Sequence, residues 1–173
     1  IQLWDLGGNA IGMIKGDAGF EWVQFALDYQ TIATFDGNAI QLWNFDGTSL
    51  ASLDAGNYGE RKALFSEDGQ TFAGLNSDTQ EVSLWQRDGT HISTFEVEND
   101  TYPYIKVKAI SSYDQTIVMS TDFATVELRQ PDGTLIKTLE DEKFPSSEYS
   151  YSGFGNVAFH PTKPILVTVV EPR

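Results

Sequence analysis

The chain has no cysteine and only two histidines among its 173 residues. That excludes a disulfide framework, a thiolate nucleophile and a Cys-based zinc site. Any histidine-dependent catalysis must use His91 or His160. Positive charge is scarce too, with 11 Lys and Arg against 25 Asp and Glu, a formal net charge of −14. A surface of that sign repels phosphate backbones, which argues against nucleic acid and for a basic protein or peptide as partner. The same excess of acid also serves to keep a β-rich protein in solution. Long apolar runs are missing. The longest, Ile165 to Val170, is far short of the roughly 20 residues of a membrane-crossing helix, so no membrane insertion is expected. No signal peptide or initiator Met is visible, a cytoplasmic location is the expectation, and the start in mid-repeat suggests a chain cut from something longer.

What is present is a sentence written four times. Its fullest copies run from Ala39 to Leu53 (AIQLWNFDGTSLASL) and from Val82 to Phe95 (VSLWQRDGTHISTF). A third runs from Val126 to Leu139, and a clipped one opens the chain at Ile1. The matching positions Trp4, Trp43, Trp85 and Arg129 are 39, 42 and 44 residues apart. A period of that size marks stacked supersecondary units, none able to bury its apolar face alone.

Each unit reads as four short strands. In one, Arg61 to Ser66 leads through an Asp-Gly turn, which supplies positive φ at little cost, to the small apolar strand Thr71 to Leu75. A polar turn follows, then Glu81 to Trp85, where Val82 and Leu84 alternate with Glu81 and Ser83 expected to be exposed. His91 to Phe95 closes the unit with polar residues outward, as protection for an edge. No helical periodicity is long enough to name. The expectation is an all-β chain with units at about 20–53, 61–95 and 105–139, and half-units at 1–14 and 156–170.

The order of small apolar strand, Asp-bearing turn, x-Val-x-Leu-Trp, Asp-Gly turn and x-Leu-x-x-Leu resembles the WD-repeat β-propeller family. Phe159 to Thr168 (FHPTKPILVT) is a close variant of the family's Phe-Ser-Pro-Asp-Gly segment, and the resemblance spans nearly the whole chain. It implies four-stranded antiparallel blades around a central channel. It also implies structural roles for Trp4, Trp43 and Trp85 and for the turn residues Asp36, Asp78 and Asp122. The departures are specific. Arg129 stands where the family has Trp, the following Asp survives only at Asp5, and Gly16-Asp17 and Gly56-Asn57 replace the family's Gly-His. The family's Asp–His–Ser–Trp network therefore cannot form in full. The turn aspartates should cap backbone amides instead, and the blades should rest more on apolar packing.

Chemistry is thin. His91 opens an outer strand and His160 sits in a hairpin, so surface roles fit both better than catalysis. Tyr149 to Gly155 lacks the glycine spacing of a nucleophile elbow or a dinucleotide fingerprint. The acidic clusters Glu96 to Asp100 and Leu139 to Phe144 lack the spacing of a calcium loop, and no catalytic residue, metal or cofactor is expected. Asn99-Asp100-Thr101 matches a glycosylation sequon without a sign of export to support it.

The connections between units hold the candidate binding residues. Glu96 to Tyr104 carries Tyr102 and Tyr104; Glu140 to Gly155 carries Phe144, Tyr149, Tyr151 and Phe154. Aromatic side chains rimmed by charge anchor protein interfaces, since they bury large area at low conformational cost. The expected function is a non-catalytic interaction module that presents these acidic, aromatic connections to a protein or peptide. Two alternatives stand: a propeller hydrolase with channel carboxylates or calcium, and a purely architectural segment of a larger signalling protein. The opening and closing half-units together hold the strands of one complete unit. They are expected to be completed by further sequence or by self-association with another copy, two copies making an eight-bladed ring.

Overall fold

The computed structural model describes residues 1–16, 19–26, 30–37, 39–54, 64–76, 79–97, 105–120, 125–140 and 154–170. These form sixteen strands and no helix. The first sheet pairs β1 (Gln2–Trp4) with β2 (Ala10–Met13). The second takes β3 (Trp22–Phe25), β4 (Thr31–Phe35), β5 (Ala39–Asn44) and β6 (Ser49–Asp54) in chain order, every pair antiparallel. The third repeats this with β7 (Leu64–Phe65), β8 (Thr71–Asn76), β9 (Glu81–Gln86) and β10 (His91–Glu96). The fourth is β11 (Lys106–Ile110), β12 (Ile117–Ser120), β13 (Thr125–Arg129) and β14 (Leu135–Glu140). A final pair, β15 (Phe154–Phe159) and β16 (Leu166–Val170), makes the fifth sheet.

The second strand of each full sheet is its center, and β4, β8 and β12 are buried almost throughout. Alternation sends successive side chains to opposite neighbors. Ile32 and its cross-strand partner Trp43 pack with Ile14, Ile1, Leu3 and Phe20 toward the first sheet. Ala33, Phe35, Ile40 and Leu42, with half-buried Leu50, meet Phe65, Phe72 and Trp85 of the third sheet. Leu75, Val82, Leu84 and Phe95 of the third sheet meet Ile110, Ile117 and Met119 of the fourth. The core is therefore a series of layers between sheets. Because both faces of an inner sheet are covered, Ser83 is buried rather than exposed, and its hydroxyl pairs with Thr94 Oγ1 at 2.7 Å.

All four third-to-fourth-strand hairpins carry a bulge at the same place, beside Trp4, Trp43, Trp85 and Arg129. The residue skipped in each register is Ile11, Leu50, Ile92 or Ile136. A bulge re-aims one side chain without breaking the hairpin. Leu50 and Ile92 are thereby turned onto the neighboring core layers. Ile11 in the first sheet and Ile136 in the fourth are exposed.

The hairpin turns pack across sheets. Gly47 has φ +85°, and a Cβ there would run into the carbonyl oxygen of Met13 in the first sheet. Gly133 lies on the Phe95 ring in the same way. Gly8 holds the matching turn position at φ +82°, with nothing within 4 Å of where its Cβ would stand. The first and last pairs stay in separate sheets, so the ends do not close a ring. Trp4, Ile11 and Met13 on one, and Ile165, Val167 and Val169 at the other, are exposed.

Candidate functional site

Antiparallel chain order sorts the loops by end. In each full sheet the first-to-second and third-to-fourth turns lie at one end of the strands. At the other end the second strand stops and the third starts, and there too the first strand begins and the fourth leaves for the next sheet. The candidate residues Tyr102, Tyr104, Phe144, Tyr149 and Tyr151 belong to those connections and lie outside the described residues, as do Asp78 and Asp122. Phe154 begins β15. At the connection end, Ile1, Gln2, Met13, Ile14, Lys15 and Phe20 line an open cleft of about 470 Å3.

The structural candidates are well defined in the second sheet. Trp43 is buried, and its indole N–H donates to Thr34 Oγ1 over 2.9 Å. Asp36 caps its turn by accepting from Ala39 N at 2.9 Å, with Gln41 Nε2 at 3.4 Å. Trp85 is buried and stacked on Phe72, ring centers 5.4 Å apart, while Trp4 in the first sheet is exposed. Arg129, in the tryptophan position of the fourth sheet, folds over its own hairpin. Its Nε meets Glu127 Oε2 at 2.7 Å and Nη1 donates to Gly133 O at 2.8 Å.

The turn carboxylates are anchored. Thr48 gives Asp46 its hydroxyl and backbone N–H, and the Thr90 and Thr134 amides donate to Asp88 and Asp132. These bonds favor the charged form. The Thr48 hydroxyl chiefly holds Asp46 below the usual carboxylate range, and the Thr90 and Thr134 backbone amides chiefly do so for Asp88 and Asp132. In the first sheet Asn9 depresses Asp5 likewise, its side-chain amide first.

Compared with solved structures, the chain superimposes on the C-terminal WD40 domain of Sif2 with a TM-score of 0.59 at 16% identity, covering 81% of this chain and 40% of that one. It superimposes on the RRP9 WD40 repeats with a TM-score of 0.53 at 13% identity, covering 75% of this chain and 41% of that one. The fold is that of a WD40 β-propeller. The chain spans about two fifths of the length of those chains. No family model and no curated protein sequence matches it.

Among the described residues, the indole–hydroxyl pair that the WD-repeat resemblance implied forms once, at Trp43 and Thr34. The position matching Thr34 is Gly74 in the third sheet and Met119 in the fourth. His91 is exposed, and its Nε2 lies 2.9 Å from Thr94 Oγ1 beside Ser83. His160 Nδ1 accepts from Thr162 N at 3.2 Å and so caps its hairpin. Among the described residues no group of three or more acidic or histidine side chains could hold a metal.

Sequence reasoning missed a groove at the turn end. Leu50, Gln70, Gln86, Arg87, Asp88 and Gln115 line a volume of about 500 Å3 that runs from the second sheet to the fourth. Gln70 and Gln115 lie 45 residues apart, each just before the second strand of its sheet, a weak signal that only the folded arrangement makes meaningful.

Proposed function

We propose that this chain is a non-catalytic interaction module whose inter-sheet connections engage a basic protein or peptide. The observation that supports the reading is topological: each four-stranded sheet begins its first strand and ends its fourth at the same end, so that is where the chain enters and leaves it. Those connections hold Tyr102, Tyr104, Phe144, Tyr149 and Tyr151, with Phe154 at the start of the strand that follows, beside the acidic runs Glu96 to Asp100 and Glu140 to Glu142. A net charge of −14 would steer cationic segments to that end and turn nucleic acid away. Aromatic anchors would supply most of the affinity and charge most of the encounter rate. The test is titration with a pool of Lys/Arg-rich peptides against an Asp/Glu-rich pool of equal length. Binding of the basic pool alone, weakened by salt and lost on replacing Tyr102, Tyr104, Tyr149 and Tyr151 by Ala, supports the reading. Equal binding of both pools, or a hydrolytic activity that depends on channel acids, overturns it.

A second reading, self-association, is favored by Gly8. Its turn matches those of Gly47 and Gly133, which each lie on a neighboring sheet, yet nothing lies against it. In this reading β1 and β2 of one copy complete β15 and β16 of another, covering Val167 and Trp4 together. A chain that stays monomeric at about 100 times a micromolar dimer constant would refute it.

A further inference from the structure

The groove at the turn end lies at the opposite end of the strands from the connections, so its use is independent of the reading above. Its floor is Leu50, the bulged residue of β6 that packs into the layer between the second and third sheets. Its wall is the turn end of the third sheet, where Arg87 N donates to Gln70 O at 2.9 Å and locks the two turns together. Gln115 faces this wall from the fourth sheet, whose turn is tied to the same wall by Asp68 N donating to Ser112 Oγ at 3.0 Å. A volume of about 500 Å3 falls in the range of ligand clefts.

Gln115 is held at φ +61°, a left-handed backbone that glycine fills at least cost. The turn is fixed by Gln115 N to Ser111 O at 2.9 Å and Thr116 N to Asp114 Oδ1 at 3.1 Å. Strain of this kind gathers at ligand clamps. The chain keeps here a side chain that costs the fold something and lines the groove. The chemistry on offer is mainly carboxamide. Among the described residues no protein group hydrogen-bonds the Gln86 and Gln115 side chains, while Asp88 is engaged by its own turn. A carboxamide pairs one donor and one acceptor, the pattern that an extended peptide backbone presents at each residue.

We propose that this groove binds the backbone of an extended peptide segment, read by Gln70, Gln86 and Gln115 over the apolar floor of Leu50. Recognition by neutral hydrogen bonds should be nearly insensitive to salt, unlike attraction to the acidic connections.

The experiment is NMR titration of the isotopically labeled chain with acetylated, amidated heptapeptides randomized over Ala, Ser, Thr and Val. Resonances of Gln70, Gln86, Arg87 and Gln115 should shift, with affinity changing less than about twofold between roughly 50 and 500 mM NaCl. N-methylation of alternate peptide amides should weaken binding about tenfold, one lost hydrogen bond or more. Gln115→Gly should keep or raise the melting temperature yet lose about fivefold or more in affinity. Gln80→Gly relieves the same strain at the other end of the strands, where φ is +57°, and should leave binding unchanged. Should Gln115→Gly misfold, Gln86→Ala at the exposed end of β9 gives the same readout. No shift in the groove, equal binding of the N-methylated peptides, or full affinity in the glutamine variant that folds overturns the proposal.

Discussion

Thr34, Gly74 and Met119 hold one position in three sheets, and only the first gives a tryptophan somewhere to donate. Thr34→Val keeps the shape but strands the buried Trp43 N–H. It should cost about 1–3 kcal/mol in urea unfolding. Trp22 is the counter-case: its ring stacks on Phe35 at 6.0 Å, but its Nε1 is buried with no hydrogen-bond partner. Trp22→Phe discards that unmet donor and should cost less than about 1 kcal/mol in the same assay, well below Thr34→Val. The turn aspartates give a pH signature. Asp46, Asp88 and Asp132 have carboxyls lowered on folding, so their contribution is complete above the unfolded value of about 3.9 and drains away as pH falls through the folded values below it. Asp132→Asn should make the stability curve shallower below about pH 4 and leave its slope unchanged near neutrality, as read by unfolding at a series of pH values. The capping role of Asp36 was legible in the sequence because a turn carboxylate without its histidine has few other uses. The Thr34 bond was not, because it depends on which strand lies opposite Trp43.

Strands and hairpins were the most legible level, and for a plain reason. Period-two alternation and the Asp-Gly turns are local, and antiparallel neighbors follow from short connections. Thr71 to Leu75 and Val82 to Trp85 do lie side by side in one sheet. The burial of Ser83 was misread because a sequence reports one sheet's alternation and not the second sheet that covers its other face. The bulges were invisible for a similar reason: Leu50 and Ile92 read as ordinary strand residues until a neighboring sheet demands them. The candidate aromatics stay unplaced, since most lie outside the described residues. At this level Gly47 and Gly8 make a matched pair. Gly8→Ala pays only for its left-handed backbone, about 1–2 kcal/mol. Gly47→Ala must also push Met13 away and should cost about 2–5 kcal/mol. Equal losses for the two in chemical denaturation would mean that the turn of Gly47 does not bear on the first sheet.

At the scale of the molecule, the apolar packing among the described residues runs between consecutive sheets, and Trp4 and Met13 in the first sheet and Val167 and Val169 in the last are exposed. Exposed surfaces of this sort mark association sites. If two copies pair as the self-association reading has it, light scattering should show a dimer at micromolar concentration. Charged substitutions at both Val167 and Val169 should return it to monomer with unchanged β-sheet circular dichroism. The strand order has a further consequence, one of time rather than space. Because the four strands of a sheet are consecutive in sequence, no sheet waits for a distant part of the chain before it can pair. A polypeptide leaving the ribosome could settle one sheet while the next is still being made, each newcomer capping the apolar face of the last. Nascent chains released after Val97 would then already resist protease across β4 and β5, the strands enclosed on both sides, while β9 would gain its full protection only once β11 and β12 had emerged.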